Sequence, residues 1–235
     1  MNILVTGASK GIGKVIAQEL KSCGNVYVTA RNEEALKAIG CSGYFVCDLA
    51  YKNDLIKLGD FIEEKKIDVL INNAGEYIYA AVIDNKIEDL EHITSVNLKA
   101  PIYLTGRAVS YMKTEKWGRI VNIGSISGVM GEACASMYSS TKAGLIGFSK
   151  AAGLELAEYG ITVNTINPGW IDTELGKDSI EDSEFSQEEI LECIPQRRFV
   201  APEEVAGLVK YLISDEAKGI TGQSINLCAG LSVGI

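Results

Sequence analysis

Three residues in the middle of the chain have types and a spacing suited to proton transfer. Tyr138 and Lys142 stand four residues apart in a segment of helical pattern, so both project from one face, and Ser125 closes a short β-branched run ending at Ile123. A tyrosine with its ordinary pKa of about 10 is a sluggish base at neutral pH. An ammonium group close by favours the phenolate and moves that pKa toward the working range. Ser125 would then hydrogen-bond a substrate oxygen while Tyr138 gives or takes the proton as hydride moves. On spacing alone, a tyrosine and a lysine that merely share a helix surface are the commoner use of this pattern.

A second group suits a dinucleotide. The run Thr6-Gly7-Ala8-Ser9-Lys10-Gly11-Ile12-Gly13 leaves a strand and opens a helix, where glycines bring backbone N–H groups and a helix N-terminus close to a pyrophosphate. Its G-x-x-x-G-x-G spacing also fits a tight strand-to-helix turn with no ligand. After the second strand, Ala30-Arg31-Asn32 stands where a NAD-preferring site would carry an acid for the ribose 2′-hydroxyl. Arg31 offers a guanidinium fork to a 2′-phosphate and Lys10 adds a second charge, which favours NADP(H) unless both are simply solvated cations. Asp48 either accepts from an adenine amino group or caps the helix beginning near Tyr51. Asn72-Asn73-Ala74-Gly75 offers amides that tie neighbouring strands and small residues that let backbone approach the cofactor, or else a plain polar turn.

Elements must position these groups. Ile3 to Thr6, Val26 to Ala30, Tyr44 to Cys47, Val69 to Ile71, Ile120 to Ile123, Val163 to Ile166 and Ser224 to Leu227 read as seven strands. Between them apolar residues fall at helical spacing, as in Ile12, Val15, Ile16 and Leu20, or Val205, Leu208, Val209 and Leu212. This alternation predicts an α/β chain with a doubly wound, Rossmann-type parallel sheet covered by helices on both faces. No Pro, Gly or Ser linker and no repeat interrupts residues 1–235, so a single domain is expected. From Asp172 to Glu192 acids dominate with few apolar anchors, which reads as a solvated surface helix or as a mobile lid.

Composition narrows the function further. The 235 residues are 47% apolar and 23% charged, with 24 glycines and 4 prolines, which excludes fibrous and disordered classes. A formal charge of −9 with no compensating basic block argues against nucleic acid as a partner. Cys23, Cys41, Cys47, Cys134, Cys193 and Cys228 form no C-x-x-C pair, and His92 is the only histidine, so no structural zinc is expected. These cysteines read as core fillers, with Cys134 and Cys193 in segments flanking the pocket, and His92 as a surface residue. The first strand begins at once and no apolar run reaches the roughly 18 to 20 residues of a membrane span, so a cytoplasmic protein with free thiols is expected.

Taken together, Thr6 to Gly13, Asn72 to Gly75, Asn97, Ser125, Tyr138-Ser139-Ser140-Thr141-Lys142 and Asn167-Pro168-Gly169 resemble the short-chain dehydrogenase/reductase family, in order from residue 1 to about residue 230. The resemblance implies Tyr138 as general acid or base, Lys142 holding the nicotinamide ribose and lowering the tyrosine pKa, Ser125 positioning the carbonyl, and Asn97 anchoring a relay water. It places Gly7, Ser9, Lys10, Gly11, Ile12, Gly13, Arg31, Asp48, Leu49, Asn73, Ala74, Gly75, Tyr138, Lys142, Pro168, Gly169, Ile171 and Thr173 at the cofactor, and a substrate lid at about 172–194. Assembly as a homotetramer or homodimer through the long helices that hold Leu104 and Tyr138 is also implied. Within the family, Val121 to Ser125, Lys142 to Lys150 and Ser214 to Gly222 look most like bacterial 3-oxoacyl-[acyl-carrier-protein] reductases. By that likeness Lys116 and Lys177 would receive an acidic carrier protein, although the acidic stretch from Asp178 to Glu192 meets such a partner with like charge. The alternatives are an NADP(H)-dependent reductase of a free ketone or alcohol (a hydroxysteroid, sugar alcohol or polyketide) and a non-catalytic NADP-binding regulator.

Overall fold

The apolar run after Met1 forms β1 (Asn2–Thr6), and its fully buried Ile3, Leu4 and Val5 sit at the centre of the sheet. It pairs in parallel with β2 (Asn25–Ala30) on one side, and on the other with β4 (Val69–Asn72), Ile3 opposite Val69 and Val5 opposite Ile71. With β3 (Gly43–Val46), β5 (Gly118–Ile123), β6 (Ile161–Pro168) and β7 (Ser224–Leu227), the sheet is seven-stranded in the order β3-β2-β1-β4-β5-β6-β7. Every ladder is parallel. The strand order reverses between β1 and β4, and in open α/β sheets the crevice beyond such a reversal is where ligands bind. The computed structural model describes residues 1–173, 176, 180 and 186–233.

Helices cover both faces. On one lie α1 (Gly11–Glu19), α2 (Glu33–Ile39) and, late in the chain, the helix Pro202–Leu212; Ile16, Leu36, Val205 and Val209 join Val5, Val28 and Ile71 in a single core cluster. On the other, α3 (Lys52–Lys65) and the long helix Ala100–Glu115 bury Leu58, Ile62, Leu104 and Met112 against Leu4, Leu70 and Ile120. Each such side chain taken fully out of water contributes about 1.5–3 kcal/mol. Helix α2 starts at Asn32, whose side chain accepts from Ala35 N at 3.0 Å, and stops at Gly40 with φ +66°.

Three further features bear on the site. Helix α4 (Ile87–Thr94) runs through a π turn, Ser95–Lys99, straight into α5 (Ala100–Glu115), and such turns reorient a side chain within an otherwise regular helix. After β5 the chain makes the short α6 (Ser127–Met130) and then α7 (Ser136–Leu156), which packs along β6. Of the acid-rich stretch, residues 174, 175, 177–179 and 181–185 lie outside the described residues, and with them Lys177 and much of the expected lid. Its far end is anchored: α8 (Gln187–Cys193) opens on a capping box between Ser186 and Glu189, and buries Ile190 and the following Ile194 in the core ahead of α9 (Pro202–Leu212).

The expected strands are all present, with shifted ends. Strand β6 extends from Ile161 through Pro168, so Asn167 and Pro168 belong to the strand. Proline is tolerated at this last position, where the ladder no longer needs its N–H. The cysteines divide: Cys47 and Cys228 are buried, whereas Cys193 is exposed and fills no core. Among the described residues, no helix is long and apolar enough to cross a membrane.

Candidate active site

At the β1/β4 reversal the glycine loop is bonded to the turn after β4. Thr6 Oγ1 accepts from the backbone N–H groups of Asn73 and Ala74, both at 3.0 Å, while Asn73 Nδ2 donates to the carbonyls of Thr6 (2.9 Å) and Gly7 (3.2 Å). The close approach explains two glycines. A Cβ on Gly7 (φ +65°) would lie 2.7 Å from Ala74 Cα, and one on Gly13 would lie 2.3 Å from Asn73 Nδ2 and 2.4 Å from Gly7 O. At the N-terminus of α1, Lys10 supplies no side-chain cap, so the first N–H groups of the helix remain available to an anion.

At the adenosine end, Arg31 is already engaged. Its Nη1 meets Glu76 Oε1 at 2.8 Å, and His92 Nε2 binds the other carboxylate oxygen of Glu76. Arg31 is largely exposed, so the pair is weak and exchangeable. Of the two readings of Asp48, the helix cap is not made. Asp48 Oδ1 accepts from Ala50 N at 3.0 Å in a local turn, and α3 starts later, after Tyr51, with no side-chain cap.

The other end of the crevice holds the Ser-Tyr-Lys group. Helix α7 places Tyr138 and Lys142 one turn apart, and the buried Lys142 Nζ donates to Ile123 O at 2.8 Å, which fixes it beneath the end of β5. Burial pushes the Lys142 ammonium down to about 8. Tyr138 moves opposite to the sequence expectation. Burial raises its phenol, hydrogen bonding from Ser125 pulls it partly back and the charge of Glu132 adds to the rise, which together bring it to about 12. The Lys142 ammonium, 5.6 Å from the Tyr138 ring centroid and spent on Ile123 O, is not what sets the phenol in this arrangement.

Asn97, in the π turn, is fully buried behind the cavity. Its Oδ1 accepts from Glu76 N and its Nδ2 donates to Glu76 O, both at 2.8 Å, and Nδ2 also reaches Thr141 Oγ1 at 3.2 Å. One amide thus ties the loop after Gly75 to α7 beside Lys142. Gly75 lies close against this lysine: a Cβ there would stand 3.3 Å from Lys142 Nζ and 3.5 Å from Asn97 Oδ1.

A single cavity of about 880 Å³ joins the two ends, and every residue expected at the cofactor lines it, together with Ser125. Thr173 approaches the glycine loop across the cavity, its Cγ2 lying 3.7 Å from where a Cβ on Gly11 would stand. Among the lining residues that the sequence reading passed over are Glu76, Tyr77, Ser127, Glu132 and Trp170. Glu76 directly follows the Asn-Asn-Ala-Gly run and Glu132 stands six residues before Tyr138, so adjacency to known motifs was the available signal. The fit to a dinucleotide is good: left-handed Gly7 and Gly11, no room for a Cβ at Gly13, uncapped N–H groups and an exchangeable arginine at the far end.

A doubly wound parallel sheet with a dinucleotide-type loop at its reversal, opening on a Ser-Tyr-Lys group, defines an oxidoreductase of the Rossmann class. The chain belongs to the short-chain dehydrogenase/reductase family, and a family model described as "Enoyl-(Acyl carrier protein) reductase" matches residues 7–232. It is 38% identical to the 3-oxoacyl-[acyl-carrier-protein] reductase FabG of Rickettsia felis over 97% of this chain and 95% of that one. The 3-oxoacyl-[acyl-carrier-protein] reductase of Synechocystis is 37% identical over the same shares. Among solved structures, an actinorhodin polyketide ketoreductase variant with NADPH superimposes with a TM-score of 0.92 at 36% identity, covering 99% of this chain and 97% of that one. A putative NAD(P)-dependent gluconate 5-dehydrogenase from Beutenbergia cavernae with bound NADP reaches 0.92 at 29% identity, covering 98% and 96%.

Proposed function

We propose that the protein is an NADPH-dependent carbonyl reductase that converts a 3-oxoacyl thioester to its 3-hydroxyacyl form. The observation that carries this reading is the pair of hydroxyls, Ser125 and Tyr138, converging at the inner end of a dinucleotide-shaped cavity. Near-full-length relatives named as 3-oxoacyl reductases support it. The bound nicotinamide supplies hydride. On substrate binding Ser125 turns its hydroxyl from Ser127 to the substrate carbonyl oxygen, and the Tyr138 phenol passes its proton to that oxygen as the charge develops there. A phenol held near 12 is fully protonated at neutral pH, the state a reductive step requires of its donor. Lys142, fixed by Ile123 O, holds the ribose, and Asn97 keeps the Glu76 backbone and Thr141 in register around it.

Arg31 exchanges Glu76 for the 2′-phosphate, which makes NADP(H) the preferred cofactor. An acyl carrier protein would dock at Lys116; Lys177, the second basic position the resemblance names, lies outside the described residues. Two copies or four would associate through α5 and α7, where Ile102 is 40% and Leu154 83% exposed.

The test is NADPH oxidation with acetoacetyl-CoA and a 3-oxoacyl carrier-protein thioester, run beside a crotonyl thioester, a steroid ketone and a simple diketone, with NADH as control. Turnover of the 3-oxo thioesters with NADPH, and none of the crotonyl thioester, is expected. Turnover confined to a free ketone would reject the thioester reading, and turnover of the crotonyl thioester would move the chemistry to the carbon–carbon double bond.

A further inference from the structure

Glu132 brings a carboxylate to the substrate end of the cavity, and the fold holds it there deliberately. Its Oε2 accepts from Ser127 Oγ at 2.5 Å and its Oε1 accepts from Tyr77 OH at 2.8 Å. Ser127 in turn accepts from Ser125 Oγ at 3.1 Å, so the carboxylate stands two hydrogen bonds from the hydroxyl that receives the carbonyl. The Tyr77 ring meets the Tyr138 ring edge-on, with centroids 5.0 Å apart.

The backbone around it is equally constrained. Gly131 (φ +80°) and Cys134 (φ +57°) both adopt the left-handed region on either side of Glu132. The Cys134 carbonyl accepts from Ala80 N at 2.6 Å, and Ala135 pairs with Ala80 in an isolated parallel bridge. A non-glycine residue in that region is strained, so the turn is held by its contacts to the 77–80 segment. Both hydrogen-bond partners of Glu132 are neutral hydroxyls, which solvate the carboxylate without cancelling its charge.

We propose that Glu132 is a specificity-determining residue: it closes the site to ketones that carry a carboxylate near the carbonyl and commits it to neutral neighbours such as thioesters and esters. The inference rests on the reading of Ser125 and Tyr138 as the carbonyl-binding pair. A substrate carboxylate bound beside that pair would meet Glu132 in a partly dehydrated cavity, where like charges repel far more than in bulk water. A thioester presents only a weak acceptor there. The charge of Glu132 is also the smallest of the causes that shift the Tyr138 phenol, in keeping with its place two hydrogen bonds from Ser125. The same charge sets this pocket against aldonic acids, the substrate class in the name of one of its structural neighbours.

The experiment compares acetoacetate with ethyl acetoacetate, one carbon skeleton with and without the charge, in the NADPH-loaded wild type, E132Q, E132A and Y77F. The wild type is expected to favour the ester. E132Q and E132A are expected to shift the ratio of kcat/KM toward the acid by tenfold or more, whereas Y77F, which loses a hydroxyl but keeps the charge, leaves the preference with the ester. Calorimetric binding of the two compounds to the proteins loaded instead with NADP⁺, which has no hydride to give a ketone, supplies the same ratio without turnover, and E132A substitutes if E132Q fails to fold. An unchanged ratio in both Glu132 variants, or the same shift in Y77F, overturns the proposal. Failure of acetoacetyl-CoA with normal turnover of the ester would instead sink the thioester reading and leave this one standing.

Discussion

At the scale of single residues, the catalytic assignment turns on Tyr138 as a proton donor. Tyr138→Phe keeps the ring and its edge contact with Tyr77 but removes the only proton the phenol has to give. Turnover is expected to fall about 10²–10⁴-fold, with NADPH binding, read by fluorescence, within about threefold of wild type. Wild-type turnover in this variant would end the mechanism. Lys142 makes a separate prediction about stability. Its folded pKa is depressed to about 8 from an unfolded 10.5, so above about pH 8 the unfolded chain holds the extra proton and stability must rise with pH. Cys47 and Tyr138, both raised to about 12, act in the opposite sense, but only above their unfolded values of 9.0 and 10.0. Between pH 8 and pH 9, denaturant unfolding of the cofactor-free protein should therefore show wild type gaining roughly 1 kcal/mol relative to Lys142→Met. A constant difference between the two would show that Lys142 is not buried as a costly cation. Ser125, Tyr138 and Lys142 were legible in the sequence because their types and spacing recur with the chemistry. Glu132 was not, since a lone glutamate in a turn carries no periodicity and gains its meaning only when Ser127 and Tyr77 close around it.

At the scale of elements, what holds the reacting groups is a chain of buried amides and hydroxyls across β4, β5, β6 and α7. Asn72 Nδ2 donates to Asn122 Oδ1 (2.8 Å), Asn122 Nδ2 to Ser149 Oγ (2.7 Å), and Thr165 Oγ1 to Ser149 Oγ (2.7 Å). Asn122 is fully buried and central, so Asn122→Ala leaves Asn72 Nδ2 only its long bond to Thr105 Oγ1 (3.5 Å) and opens a cavity; it is expected to cost about 2–4 kcal/mol in urea unfolding. A loss below about 0.5 kcal/mol would mean that water replaces the amide at no cost. The glycine loop is tested by Gly13→Ala, whose methyl would fall 2.4 Å from the Gly7 carbonyl. Backbone must move to admit it, and NADPH affinity should drop at least tenfold while the sheet stays folded by circular dichroism. The inner strands β1, β4, β5 and β6 were readable because apolar, β-branched runs buried on both faces stand out as blocks, whereas the edge strands β3 and β7 are partly exposed and were read from their alternation with helices. Their ends were not. Pro168 reads as a breaker, yet it completes β6 opposite Leu227, and the π turn that carries Asn97 leaves no mark in a helical pattern.

At the scale of the whole molecule, the question is what covers the long helices. Helix α7 buries Leu145, Ala152 and Leu156 inward while leaving Leu154 at 83% exposure, and on α5 Ile102 stands at 40%. Single exposed leucines are ordinary, but here they lie on the two helices through which the family resemblance implies assembly. A chain with a formal charge of −9 repels its own copies, so association must come from apolar area on such faces and not from charge. Leu154→Glu adds a further negative charge where two copies would meet and touches no residue of the cavity. In sedimentation velocity the wild type is expected to run as a dimer or tetramer, and the variant as a smaller species with its NADPH affinity preserved. If both sediment as the same oligomer, the interface lies elsewhere. If the wild type itself is a monomer, α5 and α7 need no partner to hold Tyr138 and Lys142 in place, and the buried chain from Asn72 to Thr165 is sufficient on its own.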